Sequence, residues 1–204
     1  EILFGIIMAG GRGTRLMPLT AKRPKPMVPV LGRPVIDYVK DAMVAAGLSQ
    51  IIVTTGYQGE QLIEHVSTWD ISSRVNQEDS PMGTAGSVRL LSDELKETFV
   101  VGSGDSVASF DISDLLESHR KSGAKVTMAL WRVDDPGEFG IVGLANENQG
   151  EVDSELTEGY ISRFKEKPTA DEAFSNLINA GLYIIEPEVM ELIPPGEKYD
   201  FSKQ

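Results

Sequence analysis

The stretch Met8-Ala9-Gly10-Gly11-Arg12-Gly13-Thr14-Arg15-Leu16 grows directly out of the apolar run Leu3 to Ala9. A short, almost unbroken apolar run that stops at glycine predicts a strand buried on both faces. Small residues let the backbone approach phosphate oxygens, and successive N–H groups there can form an anion-binding concavity. The turn is not a Walker loop, since no Gly-Lys-Ser/Thr follows at the required spacing. The dinucleotide fingerprint also fails, because its third glycine position is Leu16. Arg15 and Lys25 add two cations that can bind a triphosphate and stabilise charge developing in phosphoryl chemistry. Prolines 18, 24, 26 and 29 hold the chain between them extended, which limits the entropy lost when a ligand is enclosed.

Downstream of this turn, strand and helix patterns alternate. Pro34 opens a helix with apolar positions at Ile36, Val39, Met43 and Ala46 and a stop at Gly47. Ile51 to Thr55 reads as a strand and Gly59 to Val66 as a short helix. Thr84 to Glu97 reads as a helix capped by Thr84, followed by the strand Phe99 to Gly102. Asp111 caps a helix through Lys121, ahead of the strand Val126 to Leu130. This alternation predicts an α/β fold: a Rossmann-like, mostly parallel mixed sheet with helices on both faces. After about residue 137 glycines, short apolar runs and the acidic stretch Glu147 to Glu158 predict a smaller α+β part. Val152, Ile161, Phe164 and Leu182 to Ile185 are its expected strands. The expected division is 1–136 for a nucleotide-binding part and 137–204 for a second part, with ligands at the carboxyl ends of the strands.

Composition excludes several classes. The 204 residues are 41% hydrophobic and 25% charged, an ordinary globular balance that argues against disorder. No apolar run reaches the ~18 residues that span a bilayer, and no secretory signal pattern opens the chain, so a cytoplasmic location is expected. Cysteine is absent, which removes disulfides and thiol catalysis. The net charge of −12 argues against a nucleic-acid or anionic-membrane partner. Residues 1–40 invert that sign, with seven basic side chains against Glu1 and Asp37 for +5. The remainder carries twelve basic against twenty-nine acidic for −17. A basic segment crowded with glycine and proline favours a polyphosphate ligand. His65 and His119 sit on expected helices without acidic or histidine partners at ligand spacing, and both read as surface or packing residues.

Gly10-Gly11-x-Gly13-Thr14-Arg15-Leu16, then Pro18-Leu19-Thr20, then Pro24-Lys25-Pro26-Met27 resemble the signature of the nucleoside-diphosphate-sugar pyrophosphorylases. Gly83-Thr84-Ala85-Gly86, Gly104-Asp105, Phe139-Gly140, Glu166-Lys167-Pro168 and Asn179-Ala180-Gly181 match later motifs of that family in the right order. The resemblance implies the nucleotide-diphospho-sugar transferase fold and a nucleotidyltransferase that joins an NTP to a sugar 1-phosphate and releases pyrophosphate. By the same resemblance Ala9, Gly10, Gly11, Gly13, Thr14, Arg15, Glu78, Gly83 and Thr84 bind the nucleotide. Arg15, Lys25 and Asp105 are the catalytic set, with Asp105 the Mg²⁺ ligand. Lys25, Gly140, Glu166, Lys167 and Asn179 bind the sugar phosphate. Magnesium suits one or two carboxylates with phosphate oxygens and retained waters.

Base choice falls to Val75 through Gly83. The family's pyrimidine enzymes carry a glutamine five residues before the glycine, where guanylyltransferases tend to carry an acid. Here that position is Glu78, and Gln77 lies six back. A carboxylate can accept from both N1–H and the exocyclic amine of guanine. The favoured reading is GTP with mannose 1-phosphate to give GDP-mannose. Glucose-1-phosphate thymidylyl- or uridylyltransferase and a non-catalytic nucleotide-sugar-binding relative are the alternatives. The family's second metal ligand belongs to a later Asp-x-Gly segment near a tryptophan. Trp69-Asp70-Ile71-Ser72 lies too early and lacks the glycine, so a further carboxy-terminal segment of the family is expected to be missing. The resemblance leaves room for a homo-oligomer.

Overall fold

A computed structural model describes residues 3–10, 25–56, 59–80, 82–104 and 111–196. Along the chain these form β1 (Phe4–Met8), a two-residue hairpin of β2 (Pro29–Val30) and β3 (Arg33–Pro34), α1 (Ile36–Ala45), β4 (Gln50–Thr55) and α2 (Gly59–Val66). There follow β5 (Ser72–Gln77), α3 (Gly83–Arg89), β6 (Phe99–Ser103), α4 (Ile112–Ser122), β7 (Val126–Arg132), β8 (Gly140–Ala145), β9 (Tyr160–Glu166) and β10 (Leu177–Ile185). Eight of these strands belong to one mixed sheet. Two compact units share the chain: the described residues up to Thr127 and from Leu182 onward, and Met128–Gly181.

In the first unit β1 pairs in parallel with β4 on one side and with β6 on the other, and β4 pairs in parallel with β5. Ile6, Ile7, Ile51, Ile52, Val53, Phe99, Val100 and Val101 are buried, which explains the unbroken apolar runs of these three inner strands. Each such side chain contributes about 1.5–3 kcal/mol by leaving water. The outer strand β5, Ser-Ser-Arg-Val-Asn-Gln, has no such run and went unforeseen in the sequence. Leu182–Ile185 close the other side of β6, running antiparallel from Leu182 opposite Gly102 to Ile185 opposite Phe99.

The helices follow the expected registers with one exception. Helix α1 buries Ile36, Val39 and Met43, and Gly47 takes a left-handed φ of 85° just past its end. Asp111 caps α4, its carboxylate accepting from the Asp114 N–H at 3.1 Å. Helix α3 is the exception. It ends at Arg89 instead of Glu97 and starts at Gly83, with Thr84 inside it rather than capping it. From there Leu91, Ser92 and Glu94 donate to carbonyls three residues back, so the chain tightens into turns. Arg89 also spends its guanidinium on Ser92 Oγ and the Ile193 carbonyl.

In the second unit β8 and β9 pair antiparallel, from Gly140 opposite Glu166 to Ala145 opposite Tyr160, with an irregularity after Gly143. Ile178 of β10 pairs with Ile141 of β8. Val142, Leu144 and Leu177 form this unit's core, covered by Met128, Leu130, Leu156 and Ile161. Val152, expected as a strand residue, belongs to no strand.

Candidate active site

Among the described residues, the nucleotide candidates Ala9, Gly10 and Glu78 lie just past the carboxyl ends of the parallel strands β1 and β5, and Gly83 and Thr84 begin α3. The Ala9 N–H donates to the Thr54 carbonyl at 2.8 Å, and Thr55 Oγ1 donates to the Ala9 carbonyl at 3.2 Å. These bonds tie the start of the glycine turn to β4 on both sides of one residue, with Ala9 buried and Gly10 exposed. On the other side the Gly104 N–H donates to the Met8 carbonyl at 2.8 Å. Gly11, Gly13, Thr14, Arg15 and Asp105 lie outside the described residues, and Lys25 is described only as the first residue of a short 3₁₀ turn, Lys25–Met27.

Beyond the end of β5, Glu78 continues the parallel ladder, its N–H donating to the Thr55 carbonyl at 2.7 Å. Its side chain turns toward α3, where the Ser87 hydroxyl lies 2.6 Å from Oε1 and 2.9 Å from Oε2. Burial pushes the Glu78 carboxyl above its ordinary value, and the Ser87 hydrogen bond opposes this without cancelling it. Gln77 goes elsewhere: its Oε1 lies 3.1 Å from where a Cβ on Gly59 would stand, against the first residue of α2. Gly83 holds a φ of 73°, a left-handed conformation that costs an L-residue about 1–2 kcal/mol, so glycine is required where the loop enters α3.

The second unit brings its four candidates together. Gly140 and Glu166 are cross-strand partners, and Glu166 Oε2 sits 2.7 Å from where a Gly140 Cβ would be. The carboxylate therefore occupies space that any larger residue at 140 would fill. One step along from the Ile178–Ile141 pair, the antiparallel register sets Asn179 level with Gly140. Glu166, Gly140 and Asn179 thus share one row across three strands, and directly opposed residues present side chains to the same face. Asn179 Oδ1 accepts from the Gly181 N–H at 2.8 Å, which fixes which end of its amide is the carbonyl. Lys167 follows with a φ of 41° ahead of Pro168, its N–H donating to the Phe139 carbonyl at 2.9 Å. A left-handed lysine before proline is strained by about 1–3 kcal/mol, as residues in ligand sites often are.

Both histidines have acidic partners that spacing along the chain conceals. His65 Nε2 donates to Asp37 Oδ1 at 2.6 Å, and Trp69 Nε1 donates to the same oxygen at 3.1 Å. The buried His119 donates from Nε2 to Glu186 Oε1 at 2.8 Å. These pairs tie elements together, with acidic partners that lie far from either histidine in sequence. Among the described residues no three acidic or histidine side chains gather as a metal cluster. Ser87 is the site residue that sequence reasoning missed, because nothing local marks a helical serine as the partner of a glutamate nine positions earlier.

A family model described as nucleotidyl transferase matches residues 4–204. The mannose-1-phosphate guanyltransferases of Eremothecium gossypii and Saccharomyces cerevisiae are each 36% identical to this chain over 196 residues, covering 93% of it and 51% of their own length. The chain therefore spans about half the length of the curated relatives it matches. Among solved structures, a Bacillus anthracis protein assigned as a glucose-1-phosphate thymidylyltransferase, solved with sucrose, is 27% identical with a TM-score of 0.77. The match covers 94% of this chain and 76% of that one. A UDP-glucose pyrophosphorylase solved with UDP-glucose has the same TM-score at 21% identity, covering 94% of this chain and 79% of that one, and so shares the fold. With a match that runs from the first residue of β1 through every candidate position, the chain belongs to the nucleotidyl transferase family.

Proposed function

We propose that this chain is the catalytic part of a mannose-1-phosphate guanylyltransferase, joining GTP and mannose 1-phosphate into GDP-mannose and pyrophosphate. The observation that carries the guanine reading is the placement of Glu78. Its backbone is bonded to Thr55 and its carboxylate is directed at α3, whereas Gln77 lies against α2. An ionised carboxylate accepts two hydrogen bonds from guanine, which a pyrimidine cannot match. The names of the 36% identical relatives support the same choice.

In the proposed reaction a phosphate oxygen of the sugar 1-phosphate attacks the α-phosphorus in line, forming one P–O bond as the bond to the β-phosphate oxygen breaks. Pyrophosphate leaves, and no covalent enzyme intermediate is required. Arg15 stabilises charge on the α-phosphate oxygens, the glycine turn 10–13 with Thr14 cradles the phosphates, and Lys25 holds the attacking phosphate. Residues 1–136 take the nucleotide; within 137–204, Gly140, Glu166, Lys167 and Asn179 take the sugar phosphate. Glu166 accepts from sugar hydroxyls, and the amide of Asn179 is already oriented by Gly181.

The proposed ion is magnesium, which would be held by the Asp105 carboxylate together with phosphate oxygens and waters. Gly104, the residue before Asp105, is bonded to Met8, the residue before the turn, which supports Asp105 as the carboxylate serving a phosphate-bound ion. When bound, the ion neutralises charge on the triphosphate. Among the described residues no helix is long and apolar enough to cross a membrane.

A pyrophosphate-release assay crossing four NTPs with mannose, glucose and N-acetylglucosamine 1-phosphates tests the reading. The expected maximum is GTP with mannose 1-phosphate. A maximum with dTTP or UTP and glucose 1-phosphate would replace it with the alternative favoured by the 27% identical structure.

A further inference from the structure

We infer that Ser87 is a positioning residue for nucleotide choice, its hydroxyl holding the Glu78 carboxylate in the one orientation that meets the base. The inference rests on the guanine reading above. Ser87 lies in the middle of α3 and is 4% exposed, so its hydroxyl has little water to turn to. It stands within 2.9 Å of both Glu78 oxygens yet has a single hydrogen to give. A carboxylate offers about four acceptor positions, so this bond fixes its direction while leaving capacity for two further donors. The Glu78 backbone is held independently, through its N–H to Thr55. With main chain and side chain both anchored, the glutamate loses little freedom when a base arrives.

The electrostatics run the same way. Burial pulls the carboxyl toward its neutral form, which would present a donor where guanine also donates. A hydroxyl hydrogen bond favours the charged, accepting form. Alanine at 87 would therefore loosen the glutamate and let burial act unopposed. A glutamine at 78 keeps only the orienting half of this dependence, because its amide oxygen can accept from Ser87 but it is never charged.

Calorimetric titration of GTP and, separately, dTTP into wild type, Ser87→Ala, Ser87→Thr, Glu78→Gln and the Ser87→Ala/Glu78→Gln pair tests this, with melting temperatures recorded alongside. Ser87→Ala should weaken GTP roughly tenfold or more, the scale of one charged hydrogen bond, while dTTP changes by less than about twofold. Ser87→Thr, which keeps the hydroxyl, should stay within about threefold of wild type. Added to Glu78→Gln, Ser87→Ala should cost clearly less than it does alone, since the charged form it favours is gone and only the orienting bond to the amide oxygen remains. In turnover the loss should appear in the GTP KM with kcat retained.

Equal weakening of GTP and dTTP would make Ser87 a merely structural residue and overturn the inference. Unchanged GTP binding in Ser87→Ala, beside a loss in Glu78→Gln, would remove Ser87 and leave the guanine reading intact. A silent Glu78→Gln would remove that reading and the inference with it. If Ser87→Ala does not fold, Ser87→Cys keeps the side-chain shape with a somewhat larger sulfur and gives up most of the hydrogen-bond strength, and the same outcomes are read from it.

Discussion

Glu166 Oε2 rests 2.7 Å from the point above Gly140 where a side chain would begin. The obstructed atom is the far end of a flexible side chain, so a methyl group there would displace the carboxylate and leave the β8–β9 pairing in place. Gly140→Ala should raise the KM for sugar 1-phosphate roughly fivefold to thirtyfold, the scale of one misplaced charged hydrogen bond. The melting temperature should move by only a few degrees. Steady-state kinetics against sugar phosphate at saturating nucleotide check this, and an unchanged KM would remove the carboxylate from the sugar site.

Glu78→Gln replaces a group that accepts two hydrogen bonds with one that accepts on one side and donates on the other. A mismatch of about 1–3 kcal/mol lowers kcat/KM for GTP roughly 5- to 150-fold. Activity with dTTP and UTP should hold or improve, and Gln77→Ala should be mild for GTP. The reverse pattern, with Gln77→Ala damaging and Glu78→Gln silent, would favour a pyrimidine nucleotide.

Asp105→Asn should reduce Mg²⁺-dependent turnover at least a hundredfold with no loss of thermal stability, because the proposed role of Asp105 is to supply charge to the metal and not to pack the core. Lys25→Ala should lower kcat and weaken sugar 1-phosphate binding together. Full activity in either variant removes that residue from the proposed catalytic set.

The inner strands were legible because burial on both faces demands a continuous apolar run, as in Ile6–Ile7 and Ile51–Val53. The polar strand β5 was not, since an outer strand needs no such run. The Asp111 cap could be read because its signal is local. At the early end of α3, Arg89 reaches the Ile193 carbonyl, a partner 104 residues away that no local pattern announces. At the site, the motifs named Gly140, Glu166 and Asn179 but not their shared row, which is set by strand register. Ser87 escaped for the same reason: its meaning lies in what it touches.

The His119–Glu186 pair, which also receives Thr98 Oγ1 and packs Thr127 Oγ1 against the other ring nitrogen, shapes acid stability. Burial raises the Glu186 carboxyl, but hydrogen bonds from His119 and Thr98, with the charges of His119 and Lys125, outweigh it and leave it below its ordinary value. A carboxyl depressed by folding stabilises the protein above its unfolded pKa, about 4.3, and that contribution is lost as pH falls through the lower folded value. Glu186→Gln should therefore be less stable than wild type at pH 7, with the two converging only once pH has fallen through the lowered folded value. Urea denaturation midpoints from pH 7 to pH 3 measure this, and a constant offset across the range would contradict it.

The strand that closes β6 carries residues 182–185, and its partners are residues 99–102. On a ribosome adding about 5–20 residues per second, those eighty residues take roughly 4–16 s to appear. For that interval Phe99, Val100 and Val101 present an unpaired apolar edge, the kind that recruits other chains. The second unit is synthesised entirely within the gap. Nascent chains stalled before Leu182 should consequently bind a holdase chaperone, and chains stalled far enough past Ile185 for it to clear the exit tunnel should release it.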